Sequence, residues 1–404
     1  MPNPTVNKNL KIQSDLVMRT AGVPLDAVLA AATNIRPYLP ITPLLESVVL
    51  NSIVGGRVLV KAENHQLTNT FKVRGAMNRI VCLTQQERDA GVVAFSSGNF
   101  GQGLAYAATA LSTRSTIVMP ADAPVAKRER AASYGARIVL SPIEEGINRE
   151  VSAARVAATL AEEESLTLLH PFEDVDVIAG QGTVALEIAE QAAALPRRTS
   201  LPVAGSVAAS LALASVGGAI TSLSALYICC GGGGLTAGCA VAFAHSVPGC
   251  PIVPVEPVGF DGFNRSLLAG ERVGVSEVSV STADGDCTPD GVVRSEICDA
   301  LQAPMPGERP WATAAAAGSV TRGAVVTDEE VRNAMSIAFD TLRIVLEPSG
   351  AIGIAALINA SRDEAQHEAL GLGEFARPDR AVSVVASGGN VAWEKFQSIL
   401  GSGK

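Results

Sequence analysis

The chain has 404 residues, 48% of them hydrophobic and 18% charged, with a formal net charge of −9. That length supports a sizeable core, and the acidic balance argues against a nucleic-acid or anionic-membrane surface, since both call for clustered Lys and Arg. The seven cysteines show no Cys-x-x-Cys spacing, which suggests reduced thiols in a cytoplasmic protein, and His65, His170, His245 and His367 form no zinc-ligand cluster.

The N-terminal ten residues, from Met1 to Leu10, carry no basic region followed by an apolar core, so they do not read as a secretory signal. The run Asn69-Thr70-Phe71-Lys72-Val73-Arg74-Gly75-Ala76 sets one lysine behind an aromatic ring and opens a predicted helix over 74–81. A strand over 92–95 leads through Ser96-Ser97-Gly98-Asn99 into a helix over 101–111. Strands follow at 115–119, 137–140 and 166–169, separated by helices at 126–134 and 148–163. This alternation is the pattern of a parallel sheet wrapped by helices.

From Thr199 to Val255 there is no Asp, Glu, Lys or Arg. Residues 201–226 have the length and hydropathy of a membrane span. They are rich in Ala, Ser and Gly, lack flanking aromatic anchors and run into a glycine loop. A buried helix or ordered insertion followed by a core strand at 223–228 is the better reading. Gly231-Gly232-Gly233-Gly234 comes next, with a helix from Thr236 onward. Residues 264–326 read as irregular, and 382–386 as a buried strand.

Two of these features combine chemically. Lys72 offers an amine that can form an imine, and desolvation would keep it neutral by lowering its pKa. Gly231, Gly232, Gly233 and Gly234 offer backbone N–H groups that converge where no side chain intervenes, backed by a helix N-terminus. An imine-forming lysine and a phosphate cradle are what a pyridoxal phosphate enzyme requires. The Ser96-Ser97-Gly98-Asn99 turn between strand and helix is a second anion-holding geometry, suited to a substrate carboxylate.

The chain resembles the threonine and serine dehydratase family of pyridoxal phosphate enzymes, which includes serine racemase, from about Ile41 to Asn390. The resemblance rests on Thr70-Phe71-Lys72-Val73-Arg74-Gly75-Ala76, Ser96-Ser97-Gly98-Asn99-Phe100-Gly101-Gln102-Gly103, the four glycines, Glu347-Pro348-Ser349-Gly350-Ala351 and Ser387-Gly388-Gly389-Asn390, in the family's order. Ile178-Ala179-Gly180-Gln181-Gly182-Thr183 also matches. It implies an α/β fold of the fold type II, tryptophan synthase β-like kind. A small domain would span 90–172, a large cofactor-binding domain 1–89 plus 173–404, and the cofactor would sit between them. No room is left after Asn390 for an appended regulatory domain. A cytoplasmic homo-oligomer, a dimer, is expected.

The resemblance also implies roles. Lys72 would hold pyridoxal 5′-phosphate and move the Cα proton. Phe71 would lie against its ring. Gly231 to Gly234 with Leu235 would hold its phosphate. Asn99 would contact its ring hydroxyl, Glu347 would border the cleft beside it, and Ser387 would bond its ring nitrogen. A neutral hydroxyl there makes the ring a weaker electron sink, which suits elimination. Ser96, Ser97, Gly98 and Asn99 would hold the substrate. Ser97 matches the opposite-face acid/base of racemases, while Phe100 replaces a common histidine. His170-Pro171-Phe172-Glu173-Asp174 lies closer to the dehydratase variants than to the racemase version. Glu256 matches a ligand for a divalent cation, Mg²⁺ or Ca²⁺, although the second carboxylate is missing where Gly262 stands.

The expected activity is conversion of L-threonine or L-serine to a 2-oxo acid and ammonia. Serine racemase and 3-hydroxyaspartate dehydratase are the alternatives, the latter needing an extra cationic or polar group for the distal carboxylate. A cofactor-binding protein without turnover is the non-enzyme alternative.

Overall fold

The computed structural model describes residues 22–401 apart from Ser97, Gly146, 199–214, Thr221, 276–293, Gly371, Glu374 and Phe375. In chain order its strands are β1 (Leu44–Leu45), β2 (Val58–Ala62), β3 (Val92–Phe95), β4 (Ser115–Pro120), β5 (Arg137–Ser141) and β6 (Thr167–Leu169). They continue with β7 (Pro196–Arg198), β8 (Ser215–Ala219), β9 (Ser222–Cys229), β10 (Ile252–Pro257), β11 (Ala324–Val326) and β12 (Arg380–Ala386).

Two helix-wrapped sheets result. One has the order β5-β4-β3-β6 and is parallel throughout. The other has the order β1-β2-β12-β9-β10-β11, parallel except for the β1–β2 edge pair. β2, β4, β10 and nearly all of β9 and β12 are buried, as the continuous apolar runs predict for sheets covered on both faces.

The helix Val175–Ala194 is the scaffold that brings the chemistry together. A Cβ on Gly180 would lie 2.6 Å from the Cα of Gly75, in the helix Lys72–Cys82. A Cβ on Gly182 would lie 2.6 Å from the carbonyl oxygen of Gly238, in the helix Gly234–Ser246. The Ile178–Thr183 block is therefore a packing motif. Its two glycines let the lysine helix and the glycine-loop helix touch one central helix at backbone distance. Gly103 does the same for the helix Asn99–Ala110, where a Cβ would meet the Val73 backbone at 3.0 Å.

Beneath this contact lies a buried ion network. Arg74 donates to Glu63 at 2.7 Å and to Glu187 at 2.7 Å, and Lys61 donates to Glu187 at 2.6 Å. Burial works against the Glu187 carboxylate, but Arg74 and Lys61 outweigh it and hold the carboxyl below the usual range. Arg74 Nη1 also donates to Thr183 Oγ1, so the network ties the lysine helix to its scaffold.

The helix expected at 74–81 runs from Lys72 to Cys82, and the other sequence-predicted helices and strands of the 92–169 region lie within two residues of expectation. The reading of 264–326 as irregular is corrected at both ends. Helices Gly262–Ala269 and Glu308–Ala317 form there. The second is held by tertiary contact, since the Glu173 carboxylate accepts from the N–H groups of Glu308 and Arg309 at its first turn. In the uncharged stretch, 199–214 and Thr221 lie outside the described residues, while β8 and β9 are strands. Among the described residues no helix is long and apolar enough to cross a membrane.

Candidate active site

The loops after β3, β9 and β12 carry the turn from Ser96 to Asn99, the glycine loop and Ser387, while Lys72 follows β2 and Glu347 precedes the helix Pro348–Ala360. Loops after parallel strands are where an open sheet leaves a crevice for ligands. Lys72 opens its helix after Asn69, which takes the left-handed conformation at φ 56°. The chain before it is pinned to the loop after β12. Phe71 N–H donates to the Ser387 carbonyl at 3.1 Å, and Thr70 bridges Gly388.

The Lys72 ammonium has no carboxylate partner among the described residues. It lies 5.2 Å from the centre of the Phe71 ring. Burial lowers its pKa, partly opposed by Cys229 and Cys230 beside it. The fully buried Lys61, by contrast, is committed to Glu187 and Gln191 and to the Thr42 carbonyl. Among the described residues, Lys72 is thus the lysine with a free, partly desolvated amine.

The glycine loop runs from the end of β9 into the helix Gly234–Ser246. Gly233 takes φ 89°, which only glycine adopts without strain, and a Cβ there would lie 2.8 Å from the Phe263 ring. At Gly232 a Cβ would meet the Phe172 ring at 2.5 Å. Two aromatic rings therefore hold the bare backbone in place. Leu235 contributes its backbone only, because its side chain is buried in the core. The first N–H groups of the helix have no intrahelical acceptor, and the buried Thr236 Oγ1 beside them has no hydrogen-bond partner among the described residues. A phosphate fits this donor set. The unpaired Lys72 amine fits an aldehyde.

After β3, the Ser96 hydroxyl accepts from the N–H groups of Gly98 at 3.3 Å and Gly101 at 3.1 Å, which shapes the loop. Ser97 lies outside the described residues. Phe100, at the position of the family's histidine, is buried in the core under β3 and β4 and takes no part in these bonds. Asn99 Nδ2 donates to Glu347 Oε1 at 2.7 Å, and Asn390 Nδ2 donates to Asn99 Oδ1 at 2.9 Å. Burial first, and then repulsion from Asp299, push the Glu347 carboxyl up to about 7, against the pull of Lys127 and the Asn99 hydrogen bond. A Cβ on Gly388 would collide with the Glu347 carboxylate, so the Ser-Gly-Gly-Asn block is glycine where Glu347 passes. Ser387 is buried and its hydroxyl donates to the Ser349 carbonyl at 3.3 Å, a long bond that its hydrogen would exchange for one to an acceptor such as a ring nitrogen.

Glu256 stands apart from the expectation of a cation ligand. Its two oxygens accept from the N–H groups of Phe263 at 2.9 Å and Asn264 at 2.7 Å, so it caps the helix Gly262–Ala269. Burial pushes its carboxyl up to about 8, despite those two hydrogen bonds. A carboxyl that holds its proton near neutrality is a poor ligand for a hard cation. Among the described residues no group of three or more His, Cys, Asp or Glu side chains could hold a metal ion.

Sequence reading missed four participants. Asn390 was legible only as part of a motif, yet it joins Asn99, the Thr68 carbonyl and Arg130. Phe172 looked like a variant position and turns out to wall the glycine loop. Lys127 and Arg130 sit in the helix Val125–Ser133, whose sequence marks neither residue out. Their spacing of three puts them on one side of it.

A family model described as pyridoxal-phosphate dependent enzyme matches residues 35–371. Among curated proteins, the L-threo-3-hydroxyaspartate ammonia-lyase of Saccharomyces cerevisiae is 32% identical over 378 residues, covering 93% of this chain and 96% of that protein. The serine racemase of Dictyostelium discoideum is 30% identical, covering 94% of this chain and 98% of its own. The solved structure of maize serine racemase matches with a TM-score of 0.74 at 27% identity, over 95% of this chain and 98% of that one.

Proposed function

Because the chain belongs to the family of pyridoxal-phosphate dependent enzymes, we propose that it is an ammonia-lyase for a small 3-hydroxy amino acid, with 3-hydroxyaspartate preferred over L-threonine and L-serine. The observation that carries the reading is the unpaired, partly desolvated Lys72 amine between the glycine loop and Ser387. The preference for 3-hydroxyaspartate draws on the yeast relative's activity and replaces threonine or serine as the first expectation.

The cofactor, when bound, supplies an electron sink for charge that develops at the substrate Cα. Lys72 would hold it covalently through Nζ. The N–H groups of Gly231 to Leu235 would hold its phosphate, and the Ser387 hydroxyl would face its ring nitrogen. Asn99, fixed from one side by Glu347 and from the other by Asn390, would orient its ring.

The turn from Ser96 to Asn99 binds the substrate's α-carboxylate. The lowered pKa of Lys72 keeps a fraction of its amine neutral, so Nζ can take the Cα proton. Loss of the 3-hydroxyl as water then yields, after hydrolysis, a 2-oxo acid and ammonia.

The test is a panel of L-serine, L-threonine and L-threo-3-hydroxyaspartate assayed for 2-oxo acid release and for optical inversion. Highest kcat/KM for oxo acid release from 3-hydroxyaspartate supports the proposal. Inversion of serine faster than oxo acid release from any of the three overturns it in favour of a racemase.

A further inference from the structure

The face of the small-sheet helix Val125–Ser133 that carries Lys127 and Arg130 lines a cavity with Asp299, Glu347, Asn390 and Lys395. Lys127 Nζ lies 4.0 Å from where a Cβ on Gly98 would stand, so this cavity adjoins the turn from Ser96 to Asn99. Its charges do not balance. Asp299 serves two ammonium groups, Lys127 at 2.8 Å and Lys395 at 3.3 Å. Arg130 has no carboxylate at all among the described residues. One Nη1 bond, 2.7 Å to Asn390 Oδ1, is its side-chain hydrogen bond there. The half-buried guanidinium keeps its remaining donors for the cavity.

We infer that Arg130 is the specificity residue for the distal carboxylate of a 3-hydroxy dicarboxylic amino acid, held in register with the α-carboxylate site through Asn390 and Asn99. The inference rests on the reaction proposed above. A guanidinium fork matches a carboxylate with two parallel N–H donors, and losing it would leave the second carboxylate of the substrate unpaired in a partly desolvated cavity. Serine and threonine carry no such group, so the arrangement discriminates by charge. Arg130 also shares Asn390 with Asn99, so a substrate that orients the guanidinium also steadies the residue placed against the cofactor ring.

The test uses the holoenzyme and the variants Arg130→Gln and Arg130→Lys. The first measurement is the ratio of kcat/KM for L-threo-3-hydroxyaspartate to that for L-serine. The second is the ratio of dissociation constants for L-alanine and L-aspartate, read from the visible absorption of the bound cofactor. Those two ligands lack a 3-hydroxyl and differ by the distal carboxylate. Arg130→Gln is expected to lower both ratios by about 20-fold or more, mainly through KM in the first, with partial recovery in Arg130→Lys. Ratios unchanged within about 3-fold would overturn the assignment. If the wild type releases no oxo acid from 3-hydroxyaspartate, the proposed reaction fails. The alanine-to-aspartate ratio then still decides for or against Arg130. Should Arg130→Gln lose the cofactor or the fold, Arg130→Lys alone decides: a fall in the aspartate preference supports the role and an unchanged preference overturns it.

Discussion

Asn99 and Glu347, 248 residues apart, meet in a 2.7 Å hydrogen bond that joins the loop after β3 to the loop before the helix Pro348–Ala360. The bond crosses between the two sheets. Its acceptor is a buried carboxyl whose pKa is raised to about 7. The folded protein therefore holds a proton on Glu347 at pH values where the unfolded chain has already lost it.

The sign of the resulting pH effect follows directly. Stability from this group is full below the ordinary carboxylate range and is lost as pH rises to about 7. Glu347→Gln removes the titration. Thermal melts between pH 5 and 8 should show the wild type falling relative to the variant by about 1–3 kcal/mol across that window. A difference that stays constant with pH would show that Glu347 is already ionised in the fold.

Gly232→Ala places a methyl group 2.5 Å from the Phe172 ring. Neither the bare loop nor the ring can retreat without disturbing the phosphate cradle. The variant should lose about 1–3 kcal/mol of stability by overpacking and bind the cofactor more weakly. Gly232→Ala with Phe172→Leu should recover part of both. Cofactor titration by absorbance checks this, and full affinity in the single variant would contradict it.

Glu187→Ala removes the carboxylate shared by Arg74 and Lys61. Two buried cations would then compete for Glu63. The expected cost is about 3–5 kcal/mol, measured by urea unfolding. A loss under about 1 kcal/mol would mean that water replaces the carboxylate.

Much of this was legible in the chain. The strands and helices between 92 and 169 announced themselves by period and by turn residues. The glycine loop and Lys72 were legible as candidates only together and with the flanking motifs, since either alone has commoner roles. Residues whose roles depend on distant partners stayed hidden. Glu256 looked like a cation ligand because its local sequence does not reveal that the N–H groups of Phe263 and Asn264 fold back onto it. The helix Glu308–Ala317 was lost in a Gly- and Pro-rich stretch because its N-terminus is capped by Glu173, 135 residues earlier. Arg130 drew no notice in the sequence because nothing nearby marks Asn390 as its partner.

The central claim is that Lys72, and not the fully buried and fully paired Lys61, carries the cofactor. Borohydride treatment of the purified holoenzyme, followed by peptide mapping by mass spectrometry, tests it most directly. The account predicts bleaching of the visible band, a cofactor adduct on the peptide containing Lys72, and loss of both the adduct and at least about 1,000-fold of turnover in Lys72→Ala. An adduct on Lys61 or any other lysine, or near-wild-type oxo acid release by Lys72→Ala, would contradict it.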